Sequence, residues 1–491
     1  MLSTSQSQLA LYPSSREEYA RHIEQLKTQL LASHLPIEGS KDTELHLQAI
    51  SKAVIGATAP SYFGFVTGGV TPVAARADNL VTQLDANVQV HLPKYSIATV
   101  VEDTALRWLL ELLKLDERDW KHRTFTTGAT ASNILGLACG RDFVVREAGR
   151  RNGLEDVSVA EFGLSDALKL VGIEGIQILT TMPHSSIRKA SSVVGLGRNS
   201  VIDVTDPSTP LLFDLEALKK HLNKPKTVSI VAVSCGEVNT GQFATTRNYM
   251  HEIRKLCDDH GAWIHVDAAF GILARCLPAE KFPLLVDGTA GIELADSIAS
   301  DGHKLFNVPY DCGIFWSKHR DVAESVFQNA GAAYLGSAYS DPNTIASPLN
   351  IGIENSRRFR ALPMYASLHA YGIQGYVDII ERQVNTARRV ASWVNEHEAY
   401  TLLPSKTGKG VKNMDNIYMI VLFRASDSGL NDILVDLINE SGQMYVSGTA
   451  WDDQKAVRIA ISNWQVVPER EAKVVESVLE KIANDWAERL V

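Results

Sequence analysis

Between residues 85 and 350 the chain alternates short, mostly apolar runs with longer amphipathic stretches, a pattern that few folds accommodate. The runs at 176–180, 228–233, 263–266, 297–299 and 313–316 are too apolar to face water on either side. That is how strands buried on both faces read. Stretches of helical period at 104–115, 132–147, 214–222 and 246–260 separate them. Strands alternating with helices predict an α/β fold, a mostly parallel central sheet with helices on both faces. Ligands of such sheets bind beyond the carboxyl ends of the strands, so the polar residues after each apolar run are the ones to inspect.

The flanks read differently. Residues 1–84 form a helical segment with breaks, including a helix at 17–31 that opens after Ser14-Ser15, followed by an aromatic loop at 60–69. A long helical stretch at 356–397 leads into a small α+β part with strands at 417–423 and 456–462, a helix at 430–441 and a closing amphipathic helix at 468–486. The expected organisation is thus 1–84, 85–355 and 356–491, in keeping with 491 residues, more than one core usually holds.

Composition removes several function classes. Net charge is −9 and the 48 basic residues form no long run, which argues against a nucleic-acid-binding face. The five cysteines, Cys139, Cys235, Cys257, Cys276 and Cys312, include no Cys-x-x-Cys pair, so neither zinc nor a disulfide framework is expected. A reducing compartment suits them. The first twenty residues lack a basic stretch followed by an apolar core, and the run at 227–235 is far too short to span a bilayer. The expectation is a soluble cytoplasmic protein that binds no membrane.

Four clusters at strand ends can carry chemistry. Thr127-Gly128-Ala129-Thr130-Ala131-Ser132-Asn133 precedes a helix, where small residues and free amides suit a phosphate, or simply cap the helix. His184 follows the strand at 176–180; it can stack on a planar cofactor or be a polar loop residue. Asp267, at the end of His265-Val266-Asp267-Ala268-Ala269-Phe270-Gly271, needs a positive partner. A protonated pyridine nitrogen, a structural ion pair or a metal each fits. Lys304, in Asp301-Gly302-His303-Lys304, follows a strand in apolar surroundings, where desolvation makes an amine able to form an imine.

In this order the four clusters resemble fold-type I pyridoxal 5′-phosphate (PLP) enzymes. The 265–271 block, with Ala295-Asp296-Ser297 and 301–304, resembles the group II pyridoxal-dependent amino acid decarboxylases, aromatic amino acid and tyrosine decarboxylases among them. The resemblance runs from Pro60 to about Trp464. It implies a PLP Schiff base on Lys304, Asp267 at the pyridine nitrogen, His184 over the ring, and Ala129, Thr130, Asp301 and His303 around the phosphate. Ala269 is expected beside the cofactor. Asn239 and Thr240 stand where many relatives carry Gly-Thr-Thr. Arg458 matches an arginine that meets the substrate carboxylate in some members; on its own it reads equally as a strand-edge arginine.

The resemblance also implies that Tyr334, in a long loop at 330–348, is the general acid that reprotonates Cα. Tyrosine there suits an amine-forming decarboxylase; phenylalanine is associated with aldehyde-forming relatives. Tyr62, Phe63, Phe65, Val66 and Thr67 match the side-chain pocket, and no Lys or Arg occurs between residues 60 and 75, which leans toward an aromatic or apolar amino acid. An aldehyde synthase, a decarboxylase of glutamate or aspartate, another fold-type I enzyme, or a binding protein that has kept the fold are the alternatives. Family members are homodimers with the active site at the interface, and the helices at 17–54 are expected to wrap the partner.

Overall fold

The computed structural model describes residues 10–32, 41–243, 246–329, 345–404 and 414–490, in two compact units. The larger comprises Val70–Glu381; the smaller comprises residues up to Gly69 together with Arg382–Val491.

In the larger unit, seven strands form one sheet in the order β1-β9-β8-β7-β6-β2-β3. They are β1 (His122–Thr126), β2 (Gly175–Thr180), β3 (Val201–Asp203), β6 (Thr227–Ser234), β7 (Trp263–Asp267), β8 (Ser297–Asp301) and β9 (Gly313–Ser317). A hairpin of β4 (Thr205–Asp206) and β5 (Thr209–Phe213) stands apart. β3, β2, β6, β7 and β8 pair in parallel, and β9 is antiparallel to both its neighbours. This is the mixed, mostly parallel sheet that the alternation predicted. The five predicted strands are all present. β1 and β3 were not anticipated, because β1 carries His122 and Arg123 and β3 is only three residues long.

Parallel strands need crossovers, and helices supply them. The helix Arg247–His260 between β6 and β7 starts on Thr246, whose side chain accepts from Tyr249 N–H, and stops at Gly261 in a left-handed conformation (φ 65°). The helix Ala129–Arg151 crosses the sheet over β1 and β6–β9. Its Leu137, Val144 and Val145 share a core with Ile178, Ile230, Trp263 and Phe315.

The smaller unit holds a four-stranded antiparallel sheet, order β10-β11-β13-β12: β10 (Tyr400–Leu403), β11 (Ile420–Ala425), β12 (Ser447–Trp451) and β13 (Gln454–Ala460). The helices Ser428–Glu440 and Pro468–Leu490 contribute Leu430, Leu434, Val475 and Leu479 to a core with Val421, Phe423 and Ile459. The chain passes between units within the helix Ala361–Glu396, whose helical dihedrals break at Gly372.

Candidate active site

Beyond the carboxyl ends of β2, β6, β7 and β8 the larger unit has a cavity of about 330 Å³. Its walls include Ala129, Thr130, His184, Asp267, Ala269, Asp301, His303 and Lys304, so residues spread over 175 positions of sequence meet in one place. Asn239 and Thr240 are not among its walls; Glu237 and Val238 of the same loop are. The buried Glu237 carboxylate organises that loop, accepting from the N–H groups of Asn239 (2.9 Å) and Thr240 (2.7 Å) and from Thr240 Oγ1.

The helix Ala129–Arg151 opens toward this cavity without a capping side chain of its own. Asp301, at the end of β8, supplies the cap from across the sheet: its Oδ1 accepts from Ala129 N–H at 2.6 Å. Its Oδ2 lies 3.1 Å from Lys304 Nζ. Gly302 between them has no room for a side chain, because a Cβ would sit 2.5 Å from Cys312 Sγ. His303 stacks on Tyr310, with ring centroids 4.7 Å apart. Burial favours the neutral ring and lowers its pKa below the ordinary imidazole value, against the opposing pull of the nearby Asp301 charge.

Asp267 ends β7, adjacent and parallel to β8. Its Oδ1 accepts from Ala269 N–H (3.2 Å) and its Oδ2 from Asn133 Nδ2 (2.9 Å). Among the described residues no Lys, Arg or His forms an ion pair with it. His184 begins the helix Ser185–Val193, its Nδ1 accepting from Ser186 N–H at 3.2 Å.

A larger cavity of about 610 Å³ lies elsewhere, walled by Arg107, Arg118, Arg123 and Arg320 among others. Those arginines are paired with Asp103, Asp116 and Glu324, and none of the strand-end clusters opens into it. Size does not mark the reactive site here; the convergence of strand ends does.

A family model described as the pyridoxal-dependent decarboxylase conserved domain matches residues 34–411. The chain belongs to that family. Its chemistry is PLP-dependent decarboxylation of amino acids, the work of carboxy-lyases. Similar proteins include an L-2,4-diaminobutyrate decarboxylase of Acinetobacter baumannii, 27% identical over 359 residues that cover 72% of this chain and 65% of the relative. A phenylacetaldehyde synthase of Arabidopsis thaliana is 25% identical, covering 74% of this chain and 70% of its own. Among solved structures, Oryza sativa TDC with PLP and tryptamine superposes with a TM-score of 0.77 at 19% identity, over 98% of this chain and 94% of that one. At that identity the likeness shows the fold.

The cavity of this pyridoxal-dependent decarboxylase fits the cofactor. A carboxylate that pairs with no cation among the described residues, an amine beyond the next strand end and the start of a helix with no capping side chain of its own match a pyridinium, an aldehyde and a phosphate respectively.

The substrate candidates fall in the smaller unit. Phe63 is buried in its core, and Thr67 is buried with its carbonyl accepting from Ser462 Oγ. Phe65 is exposed and has positive φ (56°). Arg458, on β13, donates from Nη2 to Ser447 Oγ at 3.3 Å, and the same hydroxyl accepts from Phe65 N–H at 3.3 Å. Tyr334 lies outside the described residues. Sequence reasoning missed Asn133, Ser186, Glu237 and His265; the first three are ordinary polar residues, and His265 is hidden within a strand.

Proposed function

We propose that this enzyme removes the α-carboxyl group of an aromatic or other apolar L-amino acid as CO₂ and releases the amine. The observation that carries the reading is that Asp267, at the end of β7, and Lys304, just after the neighbouring parallel β8, open into one cavity with the start of the helix Ala129–Arg151. In this reading Lys304 is the amine that holds PLP and Asp267 faces its ring nitrogen. His184 covers the ring, while Ala129, Thr130, Asp301 and His303 serve the phosphate region and Ala269 flanks the cofactor. When bound, the cofactor supplies an electron sink for the pair left on Cα as CO₂ departs. Tyr334 returns the proton to Cα.

Phe63, Phe65 and Thr67 are assigned to the substrate side chain and Arg458 to its carboxylate. The shared contact of Phe65 and Arg458 with Ser447 supports a carboxylate partner beside an apolar surface. Incubating the PLP-loaded protein with each L-amino acid and analysing products by mass spectrometry tests the reading. Amine from one or a few aromatic substrates is expected. Aldehyde with ammonia and O₂ uptake would instead place the chain beside the Arabidopsis phenylacetaldehyde synthase, and amine from diaminobutyrate or aspartate alone would overturn the apolar pocket.

A homodimer in the cytoplasm completes the reading. Tyr95 and Ile97 are 85% and 69% exposed in the larger unit, and Leu31, Leu45 and Leu47 are exposed on the N-terminal helices, apolar surface that suits a second copy. Five buried free cysteines suit a reducing compartment, and no described helix is long and apolar enough to cross a membrane.

A further inference from the structure

Three residues of the helix Ala129–Arg151 meet three residues of β7 in register. Trp263, His265 and Asp267 alternate onto one face of the sheet, as side chains at period two must. Asn133 bonds Asp267 (2.9 Å) and His265 (2.9 Å). A Cβ on Gly136 would lie 2.2 Å from His265 Cε1, and one on Gly140 would lie 2.8 Å from Trp263 Cδ1. The imidazole of His265 therefore occupies the space that any side chain at Gly136 would need.

Chemistry fixes the direction of every bond around Asn133. The Asp267 carboxylate only accepts, so the amide nitrogen of Asn133 must face it and the amide oxygen must face His265. That oxygen also only accepts, so His265 carries its proton on Nε2. His265 Nδ1 then accepts from Ser297 Oγ (2.8 Å), which itself accepts from Trp263 Nε1 (3.0 Å). Burial lowers the His265 pKa to about 4 against the pull of Asp267, which keeps the ring neutral as this pattern requires. On the other side, Asn133 Nδ2 donates its second proton to Ser186 Oγ (3.0 Å), leaving the serine proton for His184 Nδ1 (2.8 Å). Ser186 N–H points at the same nitrogen, so His184 Nδ1 is an acceptor and the ring proton resides on Nε2.

We infer that Asn133 is a positioning residue whose one carboxamide orients the Asp267 carboxylate and, by directing the Ser186 hydroxyl, holds the His184 imidazole in place. The inference rests on the assignment of Asp267 and His184 to the cofactor, and adds that the two are coupled. One proton of the Asn133 NH₂ group goes to the acid that answers the ring nitrogen, and the other goes to Ser186 Oγ, which gives its own proton to the imidazole over the ring. His265 has no role of its own toward the cofactor; it locks the amide against rotation.

The test uses the full chain labelled with ¹⁵N-histidine, as wild type, Asn133→Ala and Ser186→Ala, with the His184 signals assigned by a His184→Gln variant. Two quantities are read: imidazole ¹⁵N shifts, which distinguish tautomers, and the PLP dissociation constant by equilibrium dialysis. Asn133→Ala is expected to raise the dissociation constant on the order of tenfold, the usual weight of a hydrogen bond to a charged group. It is also expected to shift the His184 Nδ1 signal, because the Ser186 hydroxyl is freed to turn away, while the Ser186 N–H keeps the Nε2–H tautomer. Ser186→Ala is expected to shift the His184 signal in the same sense, with a smaller rise in the dissociation constant because the Asn133–Asp267 bond remains. A purely structural Asn133 would lower the melting temperature with both readouts unmoved, and that result overturns the inference. Should Asn133→Ala not fold, unchanged His184 shifts in Ser186→Ala overturn it alone. Wild-type protein that binds no PLP would sink the site assignment, whereas wild-type binding matched by Asn133→Ala sinks only the coupling.

Discussion

The backbone N–H of Ala129 donates to Oδ1 of Asp301 at 2.6 Å, joining residues 172 positions apart. A helix start has unpaired amides that attract negative charge, and here the charge arrives from another strand's end. The same carboxylate reaches Lys304, so Asp301 links the helix to the amine of the site.

Asp301→Ala should therefore remove a cap and a charged acceptor together, lowering the stability of the cofactor-free protein by about 1–2 kcal/mol. Asp301→Asn keeps an acceptor oxygen and should lose less than half of that. Urea unfolding of the three proteins checks the order; an unchanged midpoint for Asp301→Ala would show that the Ala129 contact contributes nothing.

Glu102 and Arg357 form a bidentate ion pair in the larger unit, their side chains 4% and 2% exposed. Burial alone would lower the arginine pKa, but the Glu102 charge and its hydrogen bonds outweigh that and raise it. Glu102→Gln leaves a buried cation without its counter-charge and should cost about 3–5 kcal/mol. The double replacement Glu102→Leu with Arg357→Met removes both charges and should recover most of the loss. A double variant no more stable than the single one would refute this account.

Stability should fall in mild acid through two buried imidazoles. Burial lowers the pKa of both His122 and His265 to about 4, opposed for His122 by its bond to the Ile351 carbonyl and for His265 by Asp267. With folded values below the ordinary 6.5, the unfolded chain binds protons first as pH drops. The stabilisation is thus complete above pH 6.5 and is lost progressively toward pH 4, up to about 3 kcal/mol per group. Urea midpoints from pH 7 to pH 4 should decline in wild type and decline less in His122→Gln, which retains a donor for Ile351. Identical slopes would exclude His122 as a source.

Much of this was legible in the chain. The runs at 176–180, 228–233, 263–266 and 297–299 were readable as buried strands, because a strand covered on both faces must be apolar along its length. Their polar successors, His184, Asp267 and Lys304, followed from the rule that ligands meet parallel sheets at carboxyl ends. The motif resemblance then gave the order of those residues a chemical meaning. Sequence alone did not separate Asn239 and Thr240 from Glu237 and Val238, since which side of a short loop faces a cavity depends on its turns.

The sequence determined which strand ends would carry an amine, an acid and an imidazole, because patterns of polarity along one strand or helix are local. Only the tertiary structure decided that Asn133 would serve Asp267 and His184 at once, with Gly136 and Gly140 clearing space for His265 and Trp263. The helix repeats every 3.6 residues and the strand every two, so which of their residues meet is set by how one is laid across the other. That placement comes from packing among residues more than a hundred positions apart, and hydrogen-bond direction follows once they touch.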